Sequence, residues 1–302
     1  PQTILLTETN VPHKENVSYF GQGDEARAVY QFSLAPLLLD AYLHEDVGPL
    51  CDWLSKLEYP GNGMTFFNFT ASHDGIGVRP LEGLISQQRF DALIESIPQR
   101  GGLVSWRETP SGAKSPYELN IAFFSALDST TPLAPELHIR KFLSSQAFIL
   151  SLRGIPGVYF HSLVGTLNDT AGVERTGQNR AINRRKFSLQ ELNDLLSNSD
   201  SKQGAVFEGY RRLLRIRREQ RAFHPDGPQK MIPTGDAATI GFLRTSPCGA
   251  ESILVLANMS RKPIAIRVPQ VDGKVPQRNL LSDRKPQNEQ YRLDAFEIAW
   301  LL

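Results

Sequence analysis

The chain has 302 residues, room for one large domain or two, and 40% of them are hydrophobic, ample for a core. Its 33 Lys and Arg against 32 Asp and Glu leave a net charge of +1, so no global field argues for nucleic acid or a membrane surface as partner. No apolar run approaches membrane-spanning length and no signal peptide is seen; Cys51 and Cys248 lie far apart, without metal or redox spacing, which suits a reducing, cytoplasmic setting. The chain opens Pro1-Gln2-Thr3 without an initiator Met and enters a strand at once, so a natural start upstream, or a cleaved chain, is expected.

Ile4 to Leu6 read as a first strand, followed by Glu8. Residues 10–24 form a loop rich in Asn, Gly and charge. Val29 to Phe32 read as a second strand, and Leu34 to Leu43 as the helix behind it, with Pro36 tolerated in its first turn. Leu50, Trp53, Leu54 and Leu57 recur at helical spacing over 48–57, and Pro60-Gly61-Asn62-Gly63 breaks the chain. Phe66, Phe67 and Phe69 make a buried strand that stops at Ser72-His73-Asp74-Gly75. Phe90, Leu93, Ile94 and Ile97 give the next helix, with Ser86 as cap and Pro98 as stop. Residues 99–118 show no clean period and read as a long loop; Leu119 to Leu127 begin a helix. Leu137 to Leu152 form a strongly apolar helix, Val158 to Phe160 a fourth strand, and His161 to Arg185 a second long polar loop.

A further helix presents Val206, Tyr210, Leu213 and Leu214 on one face. Its arginines, from Arg211 to Arg221, read as a solvated surface, because the chain as a whole is balanced in charge. Beyond Pro225 short β-rich runs at 239–244, 252–258, 263–268 and 296–302 suggest a small antiparallel domain. Strand and helix alternate up to about residue 224, which argues for parallel α/β. Four main strands, near residues 4, 30, 67 and 159, would make an open half-barrel with exposed edges.

The chemistry gathers at two strand ends. A buried apolar run that ends in small and ionisable residues is how a barrel strand delivers side chains to its catalytic face. Glu8 and Asp74 are both placed so. Two strand-terminal carboxylates fit glycosyl transfer, which needs a proton donor and a charged carboxylate around an oxocarbenium-like centre. The alternative for each is a solvated turn residue, and a lone His in a turn, as His73 is beside Asp74, is more often structural than a donor to the carboxylate.

Thr7-Glu-Thr-Asn-Val-Pro-His-Lys14, Asn68-Phe-Thr-Ala-Ser-His-Asp-Gly-Ile-Gly-Val-Arg-Pro-Leu-Glu-Gly83, Pro116-Tyr-Glu-Leu-Asn120, Gly154-Ile-Pro-Gly-Val-Tyr159 and Asn179-Arg-Ala-Ile-Asn-Arg184 occur in that order. Together they resemble the branch of the α-amylase superfamily that holds the sucrose and glucosylglycerate phosphorylases. The resemblance covers residues 3 to about 186 and is looser beyond. It implies the second half, strands five to eight, of a (β/α)8 barrel over 1–224, with an inserted loop subdomain at about 75–118 and a C-terminal β domain over 225–302. The first half, which carries the family's nucleophilic aspartate, would have to be supplied.

By the same resemblance Glu8 is the general acid/base, with a pKa raised by partial desolvation. Asp74 is the transition-state stabiliser, His73 and Arg180 bind the glucosyl unit, and Arg184 is a weaker, more structural candidate. Tyr117, Glu118 and Ser115 shape the acceptor and phosphate site. Sucrose phosphorylases resemble the chain at the tyrosine but carry an acidic residue near Ser115 and a glutamine at Glu118; the departures favour a small polyol acid such as glycerate over fructose. Glu118 would repel such an acceptor, so Lys114 or Arg107 is expected to compensate.

The implied activity is a retaining α-glucosyl phosphorylase with inorganic phosphate as co-substrate, no metal and no other cofactor. Its partners are a small sugar and the upstream barrel half, and a homodimer is compatible with it. Sucrose phosphorylase and an α-glucosidase or transglucosidase of the same superfamily are the enzymatic alternatives. A non-catalytic carbohydrate-binding fragment is the alternative from another class.

Overall fold

The computed structural model describes residues 3–302 except 62, 110, 130, 199 and 272; Asn62 of the expected breaker cluster lies outside the described residues. The chain begins β1 (Leu6–Thr7), α1 (His13–Ser18), β2 (Ala28–Tyr30), α2 (Leu34–His44), α3 (Gly48–Lys56) and β3 (Thr65–Asn68). Then follow β4 (Ile76–Gly77), α4 (Gln87–Ser96), β5 (Leu103–Glu108), β6 (Lys114–Asn120), α5 (Phe123–Ala126), α6 (Pro135–Ser151) and β7 (Ile155–Pro156). Four helices come next: α7 (Phe160–Leu163), α8 (Thr170–Thr176), α9 (Leu189–Ser197) and α10 (Lys202–Glu219). The last six strands are β8 (Gln229–Ile232), β9 (Thr239–Thr245), β10 (Ser252–Asn258), β11 (Ile264–Arg267), β12 (Gln290–Leu293) and β13 (Ile298–Leu301).

β1, β2, β3 and β7 form one sheet in that order, every pair parallel. Leu6 faces Ala28, Val29 faces Phe66, and Phe67 faces Ile155. Parallel neighbours need crossover connections, and α2 with α3, then α4 to α6, supply them. The inner strands are sealed: Val29 and Phe66 expose 0% of their surface. The outer strands are not. Ile4 (75%), Leu5 and Leu6 lie bare beside β1, and Ile155 (41%), Val158 and Phe160 (44%) beside β7.

Helix α2 is buried along most of its length, and Arg89 of α4 ties the two together through Asp40 at 2.7 Å and Asp46 at 2.6 Å. The arginines of α10 are not all surface. Arg217 donates from Nε to the Leu150 carbonyl at 2.7 Å, satisfying an orphan acceptor in the last turn of α6. Strands β13, β10, β9 and β8 build a second, antiparallel sheet. Its alternation sorts two cores: Ile253, Val255 and Ala257 pack on the helices, while Leu254 and Leu256 face Ile266, Tyr291 and Leu293 of the β11–β12 pair. Buried Arg244 crosses between the layers, donating to the Ser151 and His224 carbonyls.

Three expectations are corrected. The stretch 99–118 is no structureless loop: β5 and β6 pair antiparallel, and β4 joins β6. A register shift between Ser105 and Trp106 breaks the period-two pattern, which hid the strand in the sequence. The fourth parallel strand lies at Ile155–Pro156, not at 158–160, where α7 begins. The glycines fix this. A Cβ on Gly154 would sit 2.7 Å from the Phe66 carbonyl oxygen, and one on Gly157 2.4 Å from the Phe67 ring. Only there does the backbone come close enough to β3 to pair. Third, the helix expected over 119–127 is reduced to α5, because Leu119 and Asn120 finish β6, and the polar stretch 161–185 contains α8 and a 3-10 turn at Asn179–Asn183. Cys51 and Cys248 are unpaired, and burial pushes the Cys51 thiol up to about 11.

Candidate active site

The segment after β3 is braced from below. Asn68 donates to the Arg153 carbonyl at 2.8 Å, and Gln146 accepts from Thr70 at 3.3 Å and from Tyr210 at 3.1 Å. The chain then turns: the Ser72 hydroxyl accepts the Asp74 backbone N–H at 3.1 Å. Asn183 clamps the turn from above, donating to the carbonyls of Asp74 at 2.8 Å and Ser72 at 3.1 Å. Its own carbonyl accepts the Tyr159 hydroxyl at 2.9 Å. The Asn183 side chain, itself held by Tyr159 just after β7, therefore fixes the backbone that carries the aspartate.

Asp74 stands among basic side chains. Its Oδ1 lies 2.7 Å from Arg180 Nη1, 3.2 Å from Arg184 Nη2 and 3.7 Å from His73 Nε2. Arg180 also forks onto Glu118, with Nη2 to Oε1 at 2.6 Å and Nε to Oε2 at 3.1 Å. Glu118 is only 5% exposed, so the fork holds a buried carboxylate. Its hydrogen bond is the largest influence raising the Arg180 guanidinium; burial opposes it, and the charges of Glu118 and Asp74 add to it. Gly75 lets β6 come this near: a Cβ there would lie 2.9 Å from Glu118 Cβ and 3.0 Å from Asn120 Oδ1.

Glu8 follows β1 at the same end of the parallel sheet. With β2 between them, β1 and β3 are separated by roughly 10 Å, twice the strand spacing. The Glu8 loop is fastened to the β4–β6 sheet, since Asn10 donates to the Tyr117 carbonyl at 3.4 Å and its side chain fills the space over Gly77. Burial raises the Tyr30 phenol, and the charge of Glu8 adds to the effect, which marks Tyr30 as the neighbour of Glu8 on β2.

The structure thus brings together Asp74, His73, Arg180, Glu118 and Arg184, with Tyr117 beside Arg180. Two expectations are not met. Glu8 is exposed, so residues of this chain do not supply the desolvation expected for it. Ser115 and Lys114 line a separate cleft of about 590 Å³ with Trp106 and Glu82. The compensation expected for Glu118 comes from elsewhere too: Arg107 lies 3.9 Å from Glu82, and it is Arg180 that neutralises Glu118. Sequence reasoning missed Asn183 and Tyr159. Both sit in blocks that carry the resemblance, but a residue that acts through its amide or hydroxyl on a backbone carbonyl leaves no charge pattern to read. Among the described residues no group of His, Cys, Asp and Glu is placed to hold a metal ion.

No protein-family model matches the chain. It is 48% identical over 260 residues to the glucosylglycerate phosphorylase of Spirochaeta thermophila, covering 86% of this chain and 44% of that protein. It is 38% identical over 302 residues to the glucosylglycerate phosphorylase of Escherichia coli K12, covering 100% of this chain and 53% of that protein. The sucrose phosphorylase of Bifidobacterium adolescentis is 28% identical over 249 residues, 79% of this chain and 44% of that protein. Among solved structures, sucrose 6F-phosphate phosphorylase from Thermoanaerobacter thermosaccharolyticum superposes with a TM-score of 0.69 at 22% identity, over 85% of this chain and 48% of that one. The chain therefore spans about half the length of the curated relatives it matches, and it shares the fold of α-amylase-family barrel enzymes with a C-terminal β domain.

Proposed function

The chain is homologous to the glucosylglycerate and sucrose phosphorylases of the α-amylase superfamily, and from that premise we propose that it carries the acid/base and charge-stabilising part of a retaining α-glucosyl phosphorylase. In this reading Glu8 protonates the leaving oxygen and later deprotonates the incoming nucleophile. Asp74, paired with Arg180 and Arg184, stabilises positive charge that develops on the glucosyl carbon. Inorganic phosphate resolves the glucosyl intermediate. A second (β/α)4 unit completes the barrel, pairs with β1 and β7, covers their bare apolar residues and brings the nucleophilic carboxylate. Closure of the barrel would also desolvate Glu8. The half-barrel assignment is supported by the four parallel strands in chain order and by apolar exposure at both sheet edges.

The acceptor is a small polyol acid, glycerate or a close relative. One observation carries this choice: Glu118, the residue that would repel a carboxylate, is fully engaged by the Arg180 fork. Once Glu118 is neutralised, Arg184 and His73 leave the Asp74 site a surplus of donors. The test is an acceptor panel with α-glucose 1-phosphate, run on the chain combined with the first barrel half of a relative. Phosphate release that depends on glycerate, with fructose and glycerol inert, is expected. Preference for fructose would refute the acceptor, and glucose release into water would refute the phosphorylase class.

A further inference from the structure

Strand β5 carries a polar side chain that the reaction assigned above leaves unused, Ser105. The register shift pairs Ser105 with Glu118 and Trp106 with Pro116, so Tyr117 has no opposite number on β5. Side chains alternate along a strand, so Glu118 and Asn120 share one face of β6, and Ser105 joins that face from β5. The Asn179–Asn183 turn packs against it. Arg180 forks onto Glu118, and one residue earlier Asn179 donates from Nδ2 to the Ser105 hydroxyl at 3.2 Å. The same hydroxyl accepts Asn120 Nδ2 at 2.7 Å. Asn120 is 0% exposed and packs over Gly75, the neighbour of Asp74, where a Cβ would lie 3.0 Å from its Oδ1. One hydroxyl therefore links an amide that abuts the Asp74 turn to the amide next to Arg180.

The turn needs such an anchor. It is a 3-10 turn of five residues, a conformation with poor hydrogen-bond geometry. Its Ala181 N–H goes to the Gln178 carbonyl at 3.0 Å, and its Ile182 carbonyl takes the Asp169 N–H at 2.8 Å, so neither bond ties it to β5 or β6. Side chains do that. At the far end Asn183 grips the carbonyls of Ser72 and Asp74, and at the near end Ser105 holds Asn179. Between these anchors Arg180 meets a nearly buried carboxylate with two N–H···O bonds, and a planar fork tolerates little misalignment. A slack near end would leave Glu118 only partly neutralised.

We propose that Ser105 is a positioning residue that sets acceptor preference: it fixes the start of the 179–183 turn so that Arg180 cancels the charge of Glu118 before an anionic acceptor arrives. It acts through Arg180 and not on the substrate. The inference rests on the acceptor reading given above, and the test separates the two. In the chain combined with the first barrel half of a relative, Ser105→Ala should raise the KM for glycerate about fivefold or more, because a half-released Glu118 repels the acid. Asn179→Ala, which removes the donor from the other side, should do the same. In a Glu118→Gln background, where no charge is left to cancel, Ser105→Ala should leave that KM unchanged. A hydroxyl that merely supports packing would act equally in both backgrounds. Urea denaturation of the chain reads the same coupling without turnover: Arg180→Ala should cost less stability in the Ser105→Ala background than in the parent. The inference is overturned if those two costs simply add, if Ser105→Ala or Asn179→Ala leaves the glycerate KM at the parent value, or if Glu118→Gln fails to abolish the Ser105→Ala effect. A parent that ignores glycerate would refute the acceptor reading instead, and the urea cycle alone then decides whether Ser105 holds Arg180.

Discussion

At the residue scale a chain of charges runs from Glu118 through Arg180 to Asp74. Arg180→Ala would strand a buried carboxylate. It should destabilise the fold by about 1–3 kcal/mol, read by urea denaturation, and Glu118→Gln in the same chain should return part of the loss. If the two substitutions are additive, the fork is decorative. The two candidate carboxylates should separate by substrate in the completed enzyme. Both Glu8→Gln and Asp74→Asn should lower turnover of a natural substrate by at least about a hundredfold. Only Glu8→Gln should recover on a glucosyl donor whose leaving group needs no protonation. Equal recovery would overturn the division of roles. The placement of Glu8 and Asp74 beyond apolar strands β1 and β3 could be read from the sequence, because each follows an apolar run. The partner of Glu118 could not, because Arg180 lies 62 residues further along the chain and meets it only when the 179–183 turn packs on β6.

At the scale of elements, strongly periodic segments could be read directly. Helix α2, helix α4 with its Ser86 cap, and strand β10 fall where apolar spacing and capping place them. What escaped was structure whose pattern is set by long-range contact. The β5 bulge scrambles alternation, β8 is a polar strand at the edge of its sheet, and β7 is defined by close approach rather than by side chains. The last point can be tested. Gly154 has φ at 116° and would drive a Cβ into the Phe66 carbonyl. Gly154→Ala should cost about 2 kcal/mol or more, and it should disturb Tyr159 and hence the Asn183 clamp. A variant as stable as the parent in thermal melts would mean that β7 is not held by that contact.

At the scale of the molecule, helices α2 and α6 and the loop before β13 close over a buried lysine. Lys141 sits under the Tyr42 and Phe296 rings, and burial pushes its ammonium down to about 7, helped by Arg100 and Arg261 and opposed by Asp128 and Glu45. Its folded pKa lies below its unfolded value of 10.5, so between those two values the unfolded chain binds more protons. Stability should therefore rise with pH across that window and be flat below it. Lys141→Met should flatten the rise and stabilise the protein near neutrality by an amount on the order of 1–3 kcal/mol. Denaturation curves collected from pH 6 to 10 check both; a parent without slope in the window would contradict the buried charge.

On the same scale, we propose that these residues form one half of a catalytic barrel whose open edges pair with the other. Bare Ile4 and Leu5 on one side, and Ile155 and Phe160 on the other, are what a sheet presents before its neighbours pair. The most direct measurement is phosphate release from α-glucose 1-phosphate with glycerate present, as a complementary (β/α)4 half from the Escherichia coli relative is titrated into this chain. No turnover is expected without the added half, and a saturable rise to one equivalent with it. Full turnover by the chain alone, or none from a stoichiometric complex of the two halves, would contradict it.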